Sequence, residues 1–225
     1  MFYAYVKLFF YPLVRIYLHL KVEGAEGIPR RGAALVVANH TSFLDPIVLG
    51  SACSRKIHFI VLQWMYDLWR LRWFYWGMET IPFRTEEADP RAIKRALTRL
   101  RHGALVGVFP EGERSPDGSL REGKLGTALL AAVSGVPVIP CAIRGALASW
   151  RPTTYFPLPG NVQVRFGPAI HYTSGNSRRP DRADLVSFSE RMMSAIAALA
   201  SEERDGGSPH RGGERAPAPR SDGSA

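Results

Sequence analysis

Two side chains suited to proton transfer stand five residues apart in the segment Asn39-His40-Thr41-Ser42-Phe43-Leu44-Asp45-Pro46. Five residues of α-helix turn through about 500°, which leaves His40 and Asp45 roughly 140° apart on a helix. Pro46 also disfavours the helical conformation at Asp45. The two side chains meet only if the residues between them form a tight loop. The carboxylate would then fix the imidazole tautomer through one ring nitrogen and leave the other free to take a proton from an alcohol. A purely structural reading competes with this one. Asp-Pro is an ordinary helix start, with Asp45 as N-cap and Pro46 as first helical residue.

A second cluster is Val108-Phe109-Pro110-Glu111-Gly112-Glu113-Arg114-Ser115-Pro116-Asp117-Gly118. It places Glu111, Glu113 and Arg114 just beyond an apolar run that reads as a strand, where α/β domains put their sites. Arg114 suits a phosphate because its planar fork offers paired hydrogen bonds. Glu111 is a candidate to hold a substrate hydroxyl or to orient Arg114. The alternative is a polar turn with a local Glu–Arg ion pair, since Ser-Pro-Asp-Gly is itself a turn sequence. A third segment, Ile81-Pro82-Phe83-Arg84, delivers one arginine at a strand end and is weak alone.

Short apolar runs alternate with helical patterns around these segments, which predicts an α/β domain. Strands are expected at 33–38, 57–62, 80–83, 105–109, 136–143 and 162–166. Helices are expected at 46–52, 63–76, 88–101, 125–134 and 185–200. The helix at 63–76 carries four of the five Trp, and its rings suit either core packing or a lipid interface.

Residues 1–22 are aromatic-rich, interrupted by Lys7, Arg15, His19 and Lys21, with Pro12 in the middle. No apolar run there reaches the roughly 18 residues of a spanning helix. The pattern predicts an amphipathic helix lying in a bilayer surface, with packing on the domain's own core as the alternative. Residues 23–200 form the expected folded domain. Residues 201–225 are rich in Gly, Pro, Ser and Arg, and read as a disordered tail.

The chain of 225 residues carries a net charge of +9, and the tail holds four arginines against five acids. The positive excess therefore belongs to the domain and points to an anionic partner. Cys53 and Cys141 are the only cysteines and lack CxxC spacing, which argues against zinc or a disulfide framework and suits a reducing compartment. The run from Gly118 to Lys124 has phosphate-loop spacing. Leu125 stands where a magnesium-binding hydroxyl belongs, so that motif fails.

Taken together, these segments resemble the glycerolipid acyltransferase family. Residues 39–45 match its NHxSxxD motif, 77–84 its second block, 109–115 its FPEGTRS block, and Val136-Pro137-Val138-Ile139-Pro140 its fourth. Order and spacing agree over roughly residues 22–170, and the Lys124-x-Gly126 after the third block is kept. The resemblance implies a mixed central sheet flanked by helices, with the N-terminal amphipathic helix binding the membrane from its cytoplasmic face. It implies acyl transfer from acyl-CoA or acyl-carrier protein to a lysophospholipid hydroxyl, most simply 1-acylglycerol-3-phosphate giving phosphatidic acid, with no cofactor, metal or nucleic acid. His40 would be the base and Asp45 its orienting acid. Arg84 and Arg114 would bind the acceptor phosphate, Glu111 and Gly112 would shape that pocket, and backbone N–H groups near Pro46 would hold the oxyanion. Two departures stand out. Glu113 replaces the usual Thr, and Leu62 and Gln63 occupy a stretch where the family often has Lys. Glycerol-3-phosphate, other lysophospholipids, lyso-ornithine lipid and a glycolipid are the rival acceptors. A non-catalytic basic membrane- or nucleic-acid-binding protein is the rival class.

Overall fold

The computed structural model describes residues 2–84, 89–151, 154, 156–174 and 180–201. Apart from Ser201, the expected tail lies outside the described residues, as do residues 85–88 of the third interval.

The N-terminal segment is helical from α1 (Phe2–Tyr5) through a π turn (Val6–Phe10) into α2 (Tyr11–Tyr17). The wider turn falls where Pro12 has no N–H to give to the preceding turn, and the Tyr11 N–H reaches back to the Val6 carbonyl. Then follow β1 (Lys21–Glu23), β2 (Ala34–Ala38), α3 (Asp45–Ala52), β3 (Ile57–Leu62), α4 (Gln63–Asp67), α5 (Trp69–Met78), β4 (Ile81–Phe83) and α6 (Pro90–Arg101). The chain continues through β5 (Leu105–Val108), α7 (Leu125–Ser134), β6 (Val138–Arg144), α8 (Ala146–Ser149), β7 (Gln163–Phe166) and α9 (Arg182–Ser201).

Among the described residues the strands form one sheet in the order β1-β7-β6-β2-β5-β3-β4. Strands β6, β2, β5, β3 and β4 run parallel, while β7 is antiparallel to β6. The expected mixed α/β sheet is thus present, and the loops after its five parallel strands open at one edge. Strand β2 lies at the centre and is apolar throughout, as a strand covered on both faces must be. Its alternate residues feed two cores. Ala34, Val36 and Ala38 pack with Leu44, Val48 and Leu49 of the α3 segment, and with Val14 and Leu18. Leu35 and Val37 pack with Ala96 and Leu100 of α6, Ala128 and Leu130 of α7, and Met192 and Ile196 of α9.

Several boundaries differ from expectation. The aromatic helix is broken at Leu68, whose extended backbone ends α4 and starts α5. Asp45 is the first residue of α3 rather than its N-cap, and Leu44 takes the cap position in a helical conformation. Strand β1 and the short α8 were not expected. Both readings of the N-terminal segment hold, on opposite faces. Val6, Tyr11, Val14 and Leu18 are buried, with the Tyr11 hydroxyl against Gly50 of α3, whereas Leu8, Phe9, Leu13 and Ile16 are each more than 60% exposed. The Phe2 ring meets Trp73 edge-on at 5.7 Å, so this exposed face adjoins the exposed Trp69, Trp73 and Trp76 of α5. Among the described residues no helix is long and apolar enough to cross a membrane.

Gly107, in the middle of β5, leaves room for the rings beside the site. An added Cβ would lie 2.6 Å from Ile57 Cγ2 and from Phe59 Cδ1. Gly107→Ala is therefore expected to lose about 1–3 kcal/mol, the usual cost of overpacking, read as a lower urea midpoint. An unchanged midpoint would mean that both side chains relax freely.

Candidate active site

His40 leaves the C-terminal end of the central strand, where a polar residue first becomes tolerable. The preceding Asn39 is still buried, and its amide continues the sheet sideways. Asn39 Nδ2 donates to the Ile143 carbonyl at 2.9 Å, and its Oδ1 accepts from the Ile143 N–H at 2.7 Å. That pair fixes the strand end against β6.

The loop between His40 and Asp45 closes on one carboxylate oxygen. Asp45 Oδ2 accepts from the Thr41 N–H at 2.6 Å and the Ser42 N–H at 2.7 Å, and pairs with His40 Nδ1 at 2.8 Å. Asp45 is fully buried while the His40 side chain is 18% exposed, so the ring's far side faces the site opening. These three bonds offset the penalty that Pro46 imposes on a helical Asp45. The expectation of an N-cap fails for the same reason, because the carboxylate turns back into the loop instead of forward over α3.

The backbone amides at this helix start are also committed. Thr41 and Ser42 donate to Asp45, Leu44 to Ser42 Oγ, Asp45 to the Ser42 carbonyl, and Ile47 and Val48 to the Leu44 carbonyl. Pro46 has no N–H, so the expected oxyanion donors around it are already used.

The β5 loop grips the same residue from the other side. The buried Glu111 accepts the His40 N–H on Oε1 at 2.7 Å and the Arg121 N–H on Oε2 at 3.1 Å. The Ser115 N–H donates to the His40 carbonyl at 2.8 Å. Phe109 lies under the imidazole at 4.1 Å between ring centres, nearly parallel, and Phe59 of β3 lies parallel to Phe109 at 6.1 Å. His40 is therefore held at its N–H, its carbonyl, one ring nitrogen and one ring face. Its remaining nitrogen, Nε2, has no hydrogen-bond partner among the described residues.

Glu111 therefore binds backbone and does not orient Arg114. The Arg114 guanidinium lies over the Phe43 ring at 3.5 Å, inside the catalytic loop. Gly112 has φ +76°, and an added Cβ there would fall 2.8 Å from Lys124 Cδ and Nζ, so the lysine ammonium rests against this turn. Glu113 points outward and pairs with Arg121 at 2.7 Å, not with Arg114. Burial raises the Glu111 pKa, against the two N–H bonds that lower it. Burial likewise lowers that of Arg114, opposed by the charge of Asp45.

Arg84 stands apart from this group. It follows β4, three strands from β2, a lateral separation of about 14 Å at ordinary strand spacing. There it shares an open depression with Gln63, Asp89, Arg91 and Arg95. The structure thus brings together five of the six expected residues: His40, Asp45, Glu111, Gly112 and Arg114. Asn39, Phe109 and Lys124 belong to the assembly too. Their positions in the motif segments were visible, but their contacts depend on β6, on the imidazole plane and on the loop before α7.

The arrangement is that of an oriented general base beside a half-buried cation. The model of the acyltransferase family matches residues 19–144. The chain is 35% identical over 140 residues to the chloroplastic 1-acyl-sn-glycerol-3-phosphate acyltransferase LPAT1 of Arabidopsis thaliana, covering 60% of this chain and 37% of that one. It is 27% identical over 160 residues to a 1-acyl-sn-glycerol-3-phosphate acyltransferase of Pseudomonas aeruginosa, covering 68% and 60%. The chain thus spans between about a third and two thirds of the length of these relatives. The solved structure of the 1-acyl-sn-glycerophosphate acyltransferase PlsC from Thermotoga maritima superposes with a TM-score of 0.68 at 26% identity, covering 84% of this chain and 75% of that one. With the matched segment spanning more than half its length and enclosing both loops of the site, this chain belongs to the acyltransferase family.

Proposed function

We propose that this chain transfers a fatty acyl group from acyl-CoA or acyl-carrier protein to the free hydroxyl of a lysophospholipid. The acceptor that fits best is 1-acylglycerol-3-phosphate, giving phosphatidic acid. The observation that carries this reading is the 2.8 Å bond between His40 Nδ1 and Asp45 Oδ2, which leaves Nε2 as the ring's proton acceptor. The hydroxyl oxygen attacks the thioester carbonyl as His40 Nε2 takes its proton. The new ester C–O bond forms, the C–S bond breaks, and the proton passes on to the departing thiolate. Asp45 stabilises the transient imidazolium, and no acyl-enzyme is needed because the acceptor is itself the nucleophile.

Arg114 is the phosphate ligand nearest the base, with Lys124 and the Gly112 turn beside it. Glu113 does not oppose that role, since Arg121 pairs its charge at the surface. Glu111 serves as a positioning residue through the His40 N–H, and Arg84 meets an anionic group from the β4 end. The apolar face of Leu8, Phe9, Leu13 and Ile16, continued by the tryptophans of α5, fits an interfacial contact with the bilayer on its cytoplasmic side. The anionic headgroups there would suit the basic domain.

His40→Ala is expected to lower thiol release from acyl-CoA plus 1-acylglycerol-3-phosphate by about 10³-fold or more, with unchanged circular dichroism. Retained turnover would remove His40 from the chemistry. Arg114→Ala should raise the acceptor KM about tenfold or more, whereas Glu111→Gln should lower kcat with little change in KM. A KM effect at Glu111 would restore it as a substrate ligand. Replacing Leu8, Phe9, Leu13 and Ile16 together by Ser should release the protein from phosphatidylglycerol-containing vesicles in flotation, since each apolar chain contributes about 1.5–3 kcal/mol when buried. Full co-flotation of that variant would place the membrane contact elsewhere.

A further inference from the structure

Helix α6 exposes Arg91, Lys94, Arg95, Arg99 and Arg101 and contains no acid between Pro90 and Arg101. Its first turns meet the end of β4, where Arg84, Arg91 and Arg95 line one depression with Gln63, Asp89 and Pro90, of about 390 Å³. Among the described residues none of these three arginines forms an ion pair. Asp89 is the one acid in the lining, and both its oxygens are engaged by backbone. Oδ1 accepts from the Arg91 and Ala92 N–H groups at 2.9 and 3.3 Å, and Oδ2 from the Arg84 N–H at 3.2 Å. The depression is thus a concentrated positive site on the same sheet edge as His40.

Bond counting decides which phosphate it suits. In a glycerol-phosphate acceptor the phosphorus is four bonds from the reacting hydroxyl oxygen, about 5 Å when extended. That is the neighbourhood of Arg114, which touches the catalytic loop at Phe43. In a thioester donor the first phosphorus lies about thirteen bonds from the sulfur, the length of four to five extended residues, or about 15 Å. Three strand spacings from β2 to β4 come to about 14 Å. We propose that Arg84, Arg91 and Arg95 hold the phosphate at the far end of the donor's phosphopantetheine arm, whether that arm belongs to coenzyme A or to a carrier protein. The arm then crosses the strand ends of β5 and β3, and the acceptor phosphate stays with Arg114. This rests on the thioester-donor reading above and assigns Arg91 and Arg95 a role outside the four motif segments.

The test uses the full chain and its Arg91→Ala/Arg95→Ala variant. Alanine keeps the exposed helix intact. With 1-acylglycerol-3-phosphate as acceptor, three donors are compared: acyl-CoA, acyl-4′-phosphopantetheine and acyl-pantetheine. The wild type should prefer both phosphorylated donors over acyl-pantetheine by about tenfold or more per arginine in kcat/KM. In the variant that preference should collapse while the acceptor KM stays within twofold. Equal preference for acyl-CoA and acyl-4′-phosphopantetheine assigns the pocket to the shared phosphate. A preference for acyl-CoA alone would overturn that assignment in favour of the nucleotide phosphates. A raised acceptor KM with donor preference intact would give the pocket to the acceptor, and no change in either would empty it of any role. Calorimetric titration with CoA separates the two readings. CoA binding that weakens in the variant, in a wild type that consumes no thioester, would uphold the pocket and overturn the proposed activity.

Discussion

One oxygen atom organises this site. Asp45 Oδ2 takes the N–H groups of Thr41 and Ser42 and faces His40 Nδ1, all within 2.8 Å. The two amide bonds build the loop, and the third contact aims the ring. Neither can be changed alone, since the oxygen that closes the turn also sets the imidazole. A carboxylate with no exposure survives in this place because charge-assisted donors replace the water it has lost. Its second oxygen has no partner among the described residues. The half-buried Arg114, whose charge interacts with Asp45, stands close enough to temper that cost.

The second buried carboxylate works at one remove. Glu111 joins the β5 loop to the β2 loop through the His40 N–H, and the Ser115 N–H returns the contact at the His40 carbonyl. The catalytic histidine thus becomes the residue where two strand-end loops are tied together. The stack of Phe59, Phe109 and His40 adds a lateral constraint that runs back into the sheet through Gly107, which has no side chain to displace Phe59. Catalytic placement and core packing are continuous here, so defects in packing below the site propagate to the ring above it.

Much of this was legible in the chain. The apolar run of β2 announces a doubly covered strand, and Asp89-Pro90 starts α6 as a cap and first-turn pair should, with the Asp89 side chain taking two N–H groups. His40 and Asp45 stood out as a pair because a strand end and a proline forced a loop between them. What stayed hidden has physical reasons. Asp-Pro reads as a cap from local preference, and only the three donors assembled in the folded loop pull Asp45 into the helix. Glu111 looked like a ligand because nothing local shows that a backbone N–H 71 residues earlier will claim it. The break at Leu68 carries no Gly or Pro, and β1 exists through pairing with β7 some 140 residues later. Long-range partners decide all three.

The distribution of surface character follows from the same frame. Parallel strands bring five loops to one edge, and the helices that cover the sheet differ by face. The side holding α1, α2 and α3 exposes aliphatic and aromatic groups, continued by the tryptophans of α5, while α6 on the other side exposes cations. A substrate pair made of one lipid and one long, phosphate-bearing thioester needs both kinds of surface on either side of one base. The sheet supplies that separation through strand order. His40 sits on the central strand, the apolar helices lie over one face of it, and the arginine depression lies three strands along the edge. On the proposed reading, the two reactants approach His40 from directions that do not overlap, and neither has to displace the other's phosphate.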